Sequence, residues 1–211
     1  MSKQKSSGES VPPELLEAAI DMWSQSNLAH SLPVTGRSMV PLLREGDQLF
    51  VSNENGNYQP GEILVVRYGV EIITHRLVAI RQREDGENLY ITKGDNSPHL
   101  DPPSSRNDVI GKVISLRRGK RVMSFDTASW DRVNRGIAKF SSSTSNLYPP
   151  KAHIQKRQGM SITSLFRMSC YHILNTGLRV FLQIYLFLFG GWKNTKNPDS
   201  TSLDQSKKDI S

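Results

Sequence analysis

Between Pro33 and about Asp126 the chain alternates short apolar runs with turn residues. The runs are Gln48–Val51, Glu62–Arg67, Val70–Ile80, Asn88–Thr92, Val109–Leu116 and Arg121–Phe125. They are separated by Asn55-Gly56-Asn57, Pro60-Gly61, Asp85-Gly86 and Arg118-Gly119. Such spacing predicts strands joined by tight turns, and frequent turns favour antiparallel neighbours. The expectation is a compact, mostly β domain. No internal repeat is visible.

Helical patterns flank this region. After Pro12 and Pro13, which suit a first helical turn, Leu15, Leu16, Ala19, Ile20 and Trp23 share one face at helical spacing. Glu14, Glu17 and Asp21 complement the helix dipole there. Ser129–Lys139 repeats the pattern with Trp130, Val133 and Ile137. The stretch SSSTSNLYPP then reads as a linker. Ile173–Phe189 is the most apolar part of the chain and predicts a helix near the lower length for a membrane span. Each apolar side chain favours the bilayer centre by about 0.3–0.6 kcal/mol. Arg179 opposes this by about 2.5–3.5 kcal/mol unless it reaches the interface. The balance predicts association with a membrane, by spanning, lying at the interface or forming a hairpin. A helix packed on protein is the remaining reading.

These patterns divide the chain into a disordered start (1–11), one folded domain (12–140), a linker (141–160), an apolar helical membrane-associating segment (161–192) and a disordered tail (193–211). The fold class expected is mostly β, with flanking helices and a C-terminal apolar helix.

Composition narrows the function classes. The mean hydropathy of −0.45 suits a largely water-facing protein. The net charge of +7 is spread along the chain and lacks an aromatic-interleaved basic motif, so no nucleic-acid partner is expected. Cys170 is the only cysteine, which excludes an intrachain disulfide and a paired-cysteine metal knuckle. No cofactor or metal is implied. The first thirty residues contain no apolar run of signal-peptide type, so no N-terminal anchor is expected.

Three motifs carry the candidate chemistry. They are Gly36-Arg37-Ser38-Met39-Val40-Pro41 leading to Gly46-Asp47, then Thr74-His75-Arg76-Leu77-Val78, then Thr92-Lys93-Gly94-Asp95-Asn96-Ser97-Pro98 with Asp101 beyond. Each alone is common. A serine needs a base to take its proton, and a histidine suits that task at neutral pH. A carboxylate can then fix the imidazole tautomer.

GRSMVPLLREGDQLFV resembles the serine box of signal peptidase I enzymes. THRLV and TKGDNSPHLD resemble the histidine and aspartate boxes of their endoplasmic-reticulum and archaeal branch. The bacterial branch carries lysine at the position of His75. The resemblance spans about residues 32–116 and implies a β-rich signal-peptidase-like catalytic domain. It implies Ser38 as nucleophile and His75 as general base. It offers Asp101 and Asp95 as acids, with Asp101 the preferred orienting group and Asp95 alternatively a turn residue bonding its own backbone. Gly36 and Met39 are the expected substrate-side neighbours of Ser38, Gly36 by allowing close backbone approach and Met39 by packing beneath the nucleophile. With Gly36 two residues before Ser38, the oxyanion would rest on main-chain N–H groups, Ser38's own foremost. Arg76 is expected to be solvated or paired.

The implied activity is a serine endopeptidase cleaving a signal or leader peptide through a Ser38 acyl-enzyme. One departure bears on the substrate. Enzymes of this branch usually carry a membrane segment just before the serine, whereas here the apolar segment follows it. Lys151, Lys156, Arg157 and Arg167 precede that segment, against Lys193 and Lys196 after it. By the positive-inside rule this favours a cytoplasmic catalytic domain. The alternatives are therefore a cytoplasmic regulatory or maturation protease on the same fold, or a non-catalytic binding module retaining it.

Overall fold

The computed structural model describes residues 30–53, 57–69, 71–147 and 162–194. The expected N-terminal helix and segment 1–11 lie outside the described residues, as do 148–161 of the expected linker and the tail from 195.

Eight strands form one antiparallel sheet: β1 (His30–Pro33), β2 (Gln48–Ser52), β3 (Ile63–Tyr68), β4 (Glu71–Gln82), β5 (Asn88–Lys93), β6 (Val109–Arg118), β7 (Arg121–Ser124) and β8 (Lys193–Asn194). The order is β1-β2-β6-β3-β4-β5, with β7 pairing both β6 and β8. The β-rich fold with flanking helices and a C-terminal apolar helix is as the sequence pattern predicts. Among the described residues two α-helices accompany the sheet, α1 (Ala128–Thr144) and α2 (Ile162–Phe189).

Strand β3 shows why the sheet has two cores. Its run Ile63-Leu64-Val65-Val66 is buried at all four positions. Alternate side chains point to opposite faces. Ile63 and Val65 join Met39, Leu42, Leu43, Leu49, Leu116 and Trp130 on one side. Leu64 and Val66 join Tyr58, Leu77 and Tyr90 on the other. Met39, Leu42 and Leu43 come from the segment just after Ser38, so the nucleophile's loop is rooted in the first core.

Helix α1 starts at Thr127, whose side chain accepts the Trp130 N–H, an N-cap bond. It runs past the expected end at Lys139. Residues 141–144 are helical, and 145–147 form a 3₁₀ turn, where a linker was expected. The physical reason is burial: Ser141 and Thr144 face the protein with Ile137 and Ala138. Tertiary contact overrides the weak helix propensity of serine. Gly61 lets α1 come close. A Cβ there would lie 2.8 Å from the backbone nitrogen of Arg135, and its φ is +112°. That approach brings Asn134 beneath the site.

Helix α2 lies within the helical segment expected over 161–192 and extends the most apolar stretch, Ile173–Phe189, back to Ile162. Tyr171, Asn175, Leu182 and Leu186 form its buried stripe, and most of its other large apolar side chains are exposed. Leu186 enters the first core, and Tyr185 packs edge-on against Trp130. Among the described residues, α2 is the one helix long and apolar enough to cross a membrane, by length and composition.

Candidate active site

Ser38 sits in the turn between β1 and β2. That turn is closed by the Val34 N–H to Asp47 carbonyl bond and the Gly46 N–H to Val34 carbonyl bond. Asp47 is buried and accepts the Arg44 N–H at 2.8 Å. Arg118 from β6 grips the same carboxylate with Nε at 2.8 Å, and also donates to the Leu42 carbonyl at 2.9 Å. Fork-shaped arginine–carboxylate contacts of this kind fix direction as well as distance. The Gly46-Asp47 turn expected from the sequence thus anchors the C-terminal side of the serine loop.

His75 lies in β4 opposite Leu64 of β3 and is 8% exposed. Its Nε2 is 2.8 Å from Ser38 Oγ. Its Nδ1 is 2.6 Å from Asp101 Oδ2. With the proton on Nδ1, the ring donates to the carboxylate and accepts the serine hydroxyl through Nε2. The three side chains come from sites 26 and 37 residues apart along the chain. This line of contacts can take a proton from Ser38 and stabilise the charge that results.

The loop after β5 supplies the rest. Asp101 is fixed against β5 through its N–H to the Thr92 carbonyl at 2.9 Å, while Thr92 Oγ1 donates to Asp101 Oδ2 at 2.8 Å. Thr92 is wholly buried. It was in the third motif, but nothing in the spacing marked it as the group that orients the acid.

Asp95 points elsewhere. Its carboxylate accepts Arg76 Nε and Arg76 NH2, each at 2.8 Å. Arg76 NH1 donates to the Gly61 carbonyl at 2.8 Å and to Asn134 Oδ1 at 2.7 Å. Arg76 is fully buried and Asp95 nearly so. The expected self-bonding turn role for the Asp95 side chain is therefore replaced by a buried ion pair. Of the two readings of Arg76, the structure has the paired one.

Met39 is buried, and its sulfur accepts the Asp95 N–H at 3.4 Å. It lies in the floor beneath Ser38 and offers little surface to a peptide. Gly36 is exposed, and a Cβ built there meets open space. Gly94 is the glycine that the site itself requires. A Cβ there would lie 2.9 Å from the Ser38 carbonyl oxygen and 3.0 Å from both His75 Nε2 and Ser38 Cβ. The backbone at Gly94 thus closes over the Ser38–His75 hydrogen bond, a role that sequence reasoning passed over.

Lys93 ends β5 opposite Arg76 and is 2% exposed. Burial pushes its ammonium pKa down, while the nearby Asp95 and Asp101 carboxylates pull it up; burial is the larger influence.

The family described as Peptidase S24-like matches residues 5–114, a stretch that includes Ser38, His75, Asp95 and Asp101. The chain is 42% identical over 66 residues to a protein of Dictyostelium discoideum called "Signal peptidase complex catalytic subunit sec11", covering 30% of this chain and 37% of that one. It is 36% identical over 67 residues to "Signal peptidase complex catalytic subunit SEC11C" of Homo sapiens, covering 30% and 35%. It is 28% identical over 117 residues to "Signal peptidase complex catalytic subunit SEC11" of Zygosaccharomyces rouxii, covering 47% and 69%. The chain thus spans little more than a third of the length of the first two relatives.

Proposed function

The chain belongs to the Peptidase S24-like family, and on that premise we propose that it is a serine endopeptidase that cuts a signal or leader peptide. The observation that carries this is the Ser38–His75–Asp101 line, with contacts of 2.8 and 2.6 Å.

In this reading Ser38 Oγ attacks the scissile carbonyl carbon while His75 Nε2 takes the hydroxyl proton. Asp101, held by Thr92, keeps the ring oriented and stabilises the imidazolium. The oxyanion is met by main-chain N–H groups, Ser38's own being the donor we assign. Collapse of the tetrahedral adduct breaks the C–N bond, and the imidazolium returns its proton to the leaving amine. A water, deprotonated by the same Nε2, then frees the acyl group from Ser38.

The membrane part of the proposal rests on α2. Its outward face carries Ile173, Phe181, Ile184, Phe187 and Phe189, all exposed. We assign this face to a lipid surface, which places the peptidase domain beside the bilayer. The basic residues ahead of the helix favour the cytoplasmic side and, with it, the maturation-protease reading.

The test is labelling of the full chain by a fluorophosphonate probe, with cleavage of a leader-type peptide as the second readout. Ser38→Ala should abolish both. His75→Ala should lower both by several orders of magnitude, because such residues act as a unit. Unchanged cleavage by a correctly folded Ser38→Ala protein would sink the mechanism.

A further inference from the structure

The loop after β5 presses on the nucleophile's turn, and α2 presses on that loop. The Asn96 N–H donates to the Ser38 carbonyl at 2.6 Å, and Asn96 Nδ2 donates to the Arg37 carbonyl at 3.2 Å. Two residues before Asn96, Gly94 lies against Ser38 and His75. One residue after it, the Ser97 carbonyl accepts the phenolic O–H of Tyr171 at 2.7 Å. Tyr171 belongs to α2 and is 2% exposed. Its ring centroid is 5.8 Å from Lys93 Nζ, so it covers the buried ammonium that immediately precedes Gly94. A cation against a ring face is attractive, and more so when water is excluded. The helix therefore touches the 93–97 stretch at both ends, once through the ring and once through the hydroxyl.

We infer that Tyr171 is a positioning residue for the peptidase reaction: by seating α2 on Lys93 and Ser97 it holds the 94–97 loop against Ser38 and so sets the Ser38–His75 contact. This rests on the serine-peptidase reading above. Tyr171 lies in the C-terminal helix, outside residues 5–114 matched by the family. The argument is geometric. The serine carbonyl is held by a loop whose other end is fixed to a helix. A loop freed at that end lets Ser38 drift, and misplacement by about 1 Å can cost about 100-fold in rate. The far half of α2 has independent anchors in Leu182, Leu186 and the Tyr185–Trp130 contact. Replacing Tyr171 therefore leaves the helix attached while loosening the loop.

The test uses the full chain with Tyr171→Phe and Tyr171→Leu. The readouts are the saturating rate and the half-saturation concentration for fluorophosphonate labelling of Ser38, together with Tm. Phenylalanine keeps the ring over Lys93 and loses the bond to Ser97. It should lower the saturating rate about three- to tenfold, the range expected for one hydrogen bond. Leucine loses both contacts and should lower it up to about 100-fold. The half-saturation concentration should stay within about twofold, because Tyr171 does not meet the probe. A graded fall in rate among fully folded molecules supports the seat. Rates equal to wild type in both variants overturn it. So does a fall that only tracks loss of folded protein by Tm. Labelling that persists in Ser38→Ala overturns the serine-peptidase reading itself. Labelling that requires Ser38 yet ignores Tyr171 overturns the seat alone.

Discussion

The ground beneath His75 and the outward face of α2 sit at opposite extremes of satisfaction. Under His75, a fully buried guanidinium makes four hydrogen bonds, two to Asp95, one to the Gly61 carbonyl and one to Asn134. The guanidinium comes from β4, and its partners come from the loops after β2 and β5 and from α1. On α2, Phe187 is 86% exposed and Ile173 is 71% exposed. The first region is closed on itself, so its geometry is fixed by the chain alone. The second leaves apolar area with no partner among the described residues, and contiguous surface of that kind marks a contact with something else. Chemistry that depends on tenths of an ångström belongs in the first, and attachment to a surrounding phase belongs in the second.

The two carboxylates of the third motif break this comparison most sharply. Asp101 touches His75, whereas Asp95 touches Arg76. Asp101→Asn should leave Tm nearly unchanged and lower turnover by about 10⁴-fold, through the wrong imidazole tautomer. Asp95→Asn should do the reverse in kind. It leaves a buried guanidinium without its counter-charge, which costs about 3–5 kcal/mol of stability. Thermal melts and turnover measured on both variants decide the matter. Matched melting temperatures with the larger turnover loss in Asp95→Asn would exchange the roles.

Gly94→Ala probes the same region through sterics. The new methyl would meet the Ser38 carbonyl, His75 Nε2 and Ser38 Cβ at 3.0 Å or less. Two of these atoms belong to the proposed nucleophile residue, so the relief must come from the Ser38–His75 pair itself. Turnover should fall about 10- to 100-fold, with the fluorophosphonate labelling rate falling in step. Full activity in this variant would show that the 94 backbone has room to retreat.

How much of this was legible in the sequence follows from the range of the interactions involved. The six strands of 48–125 were marked by local apolar runs and turn residues, and they stand where the runs are. β1 was passed over because His30-Ser31-Leu32-Pro33 is short and ends in proline. β8 is two residues long, Lys193 and Asn194, and exists because β7 offers an edge. Ser38, His75, Asp95 and Asp101 stood out as motif residues. What the motifs could not tell was direction. Arg76 reads as either a solvated or a paired charge until Asp95 and Asn134, the latter 58 residues on, close over it. Gly94 reads as turn chemistry until Ser38 arrives beside it. Tyr171 falls inside the helical segment expected over 161–192, but helical spacing alone could not say that its hydroxyl would meet Ser97, 74 residues earlier in the chain.

On the other side of the comparison, the outward face of α2 should yield to polar substitution with little effect on chemistry. Phe181→Ser with Phe187→Ser removes two exposed rings and disturbs none of the buried stripe at Tyr171, Asn175, Leu182 and Leu186. The full wild-type chain should stay with membranes through a carbonate wash, and the double variant should move largely to the soluble fraction. Labelling of Ser38 in detergent should change less than about threefold, as expected for surface substitutions away from the site. A wild-type chain found wholly in the soluble fraction would return α2 to the role of a packed helix.

The smallest expected effect lies at Lys93, where the two influences on one group can be set against each other. Burial lowers its pKa from the ordinary 10.5, and Asp95 and Asp101 act to raise it. With burial the larger, the folded chain releases this proton at a lower pH than the unfolded chain does. Between the depressed value and 10.5 the unfolded state holds more protons, so stability rises with pH across that window. Below the window both states are protonated and the group adds no slope. Lys93→Met keeps the length of the side chain and removes the titration. The melting temperature of wild type relative to Lys93→Met should therefore climb as pH approaches 10.5, after the shared response of all other groups is subtracted. A relative fall over the same range would mean that the two carboxylates outweigh burial, with the folded pKa above the ordinary value. The buried ammonium under Tyr171 would then act as a counter-charge for Asp95 and Asp101 rather than as a strained occupant of the site.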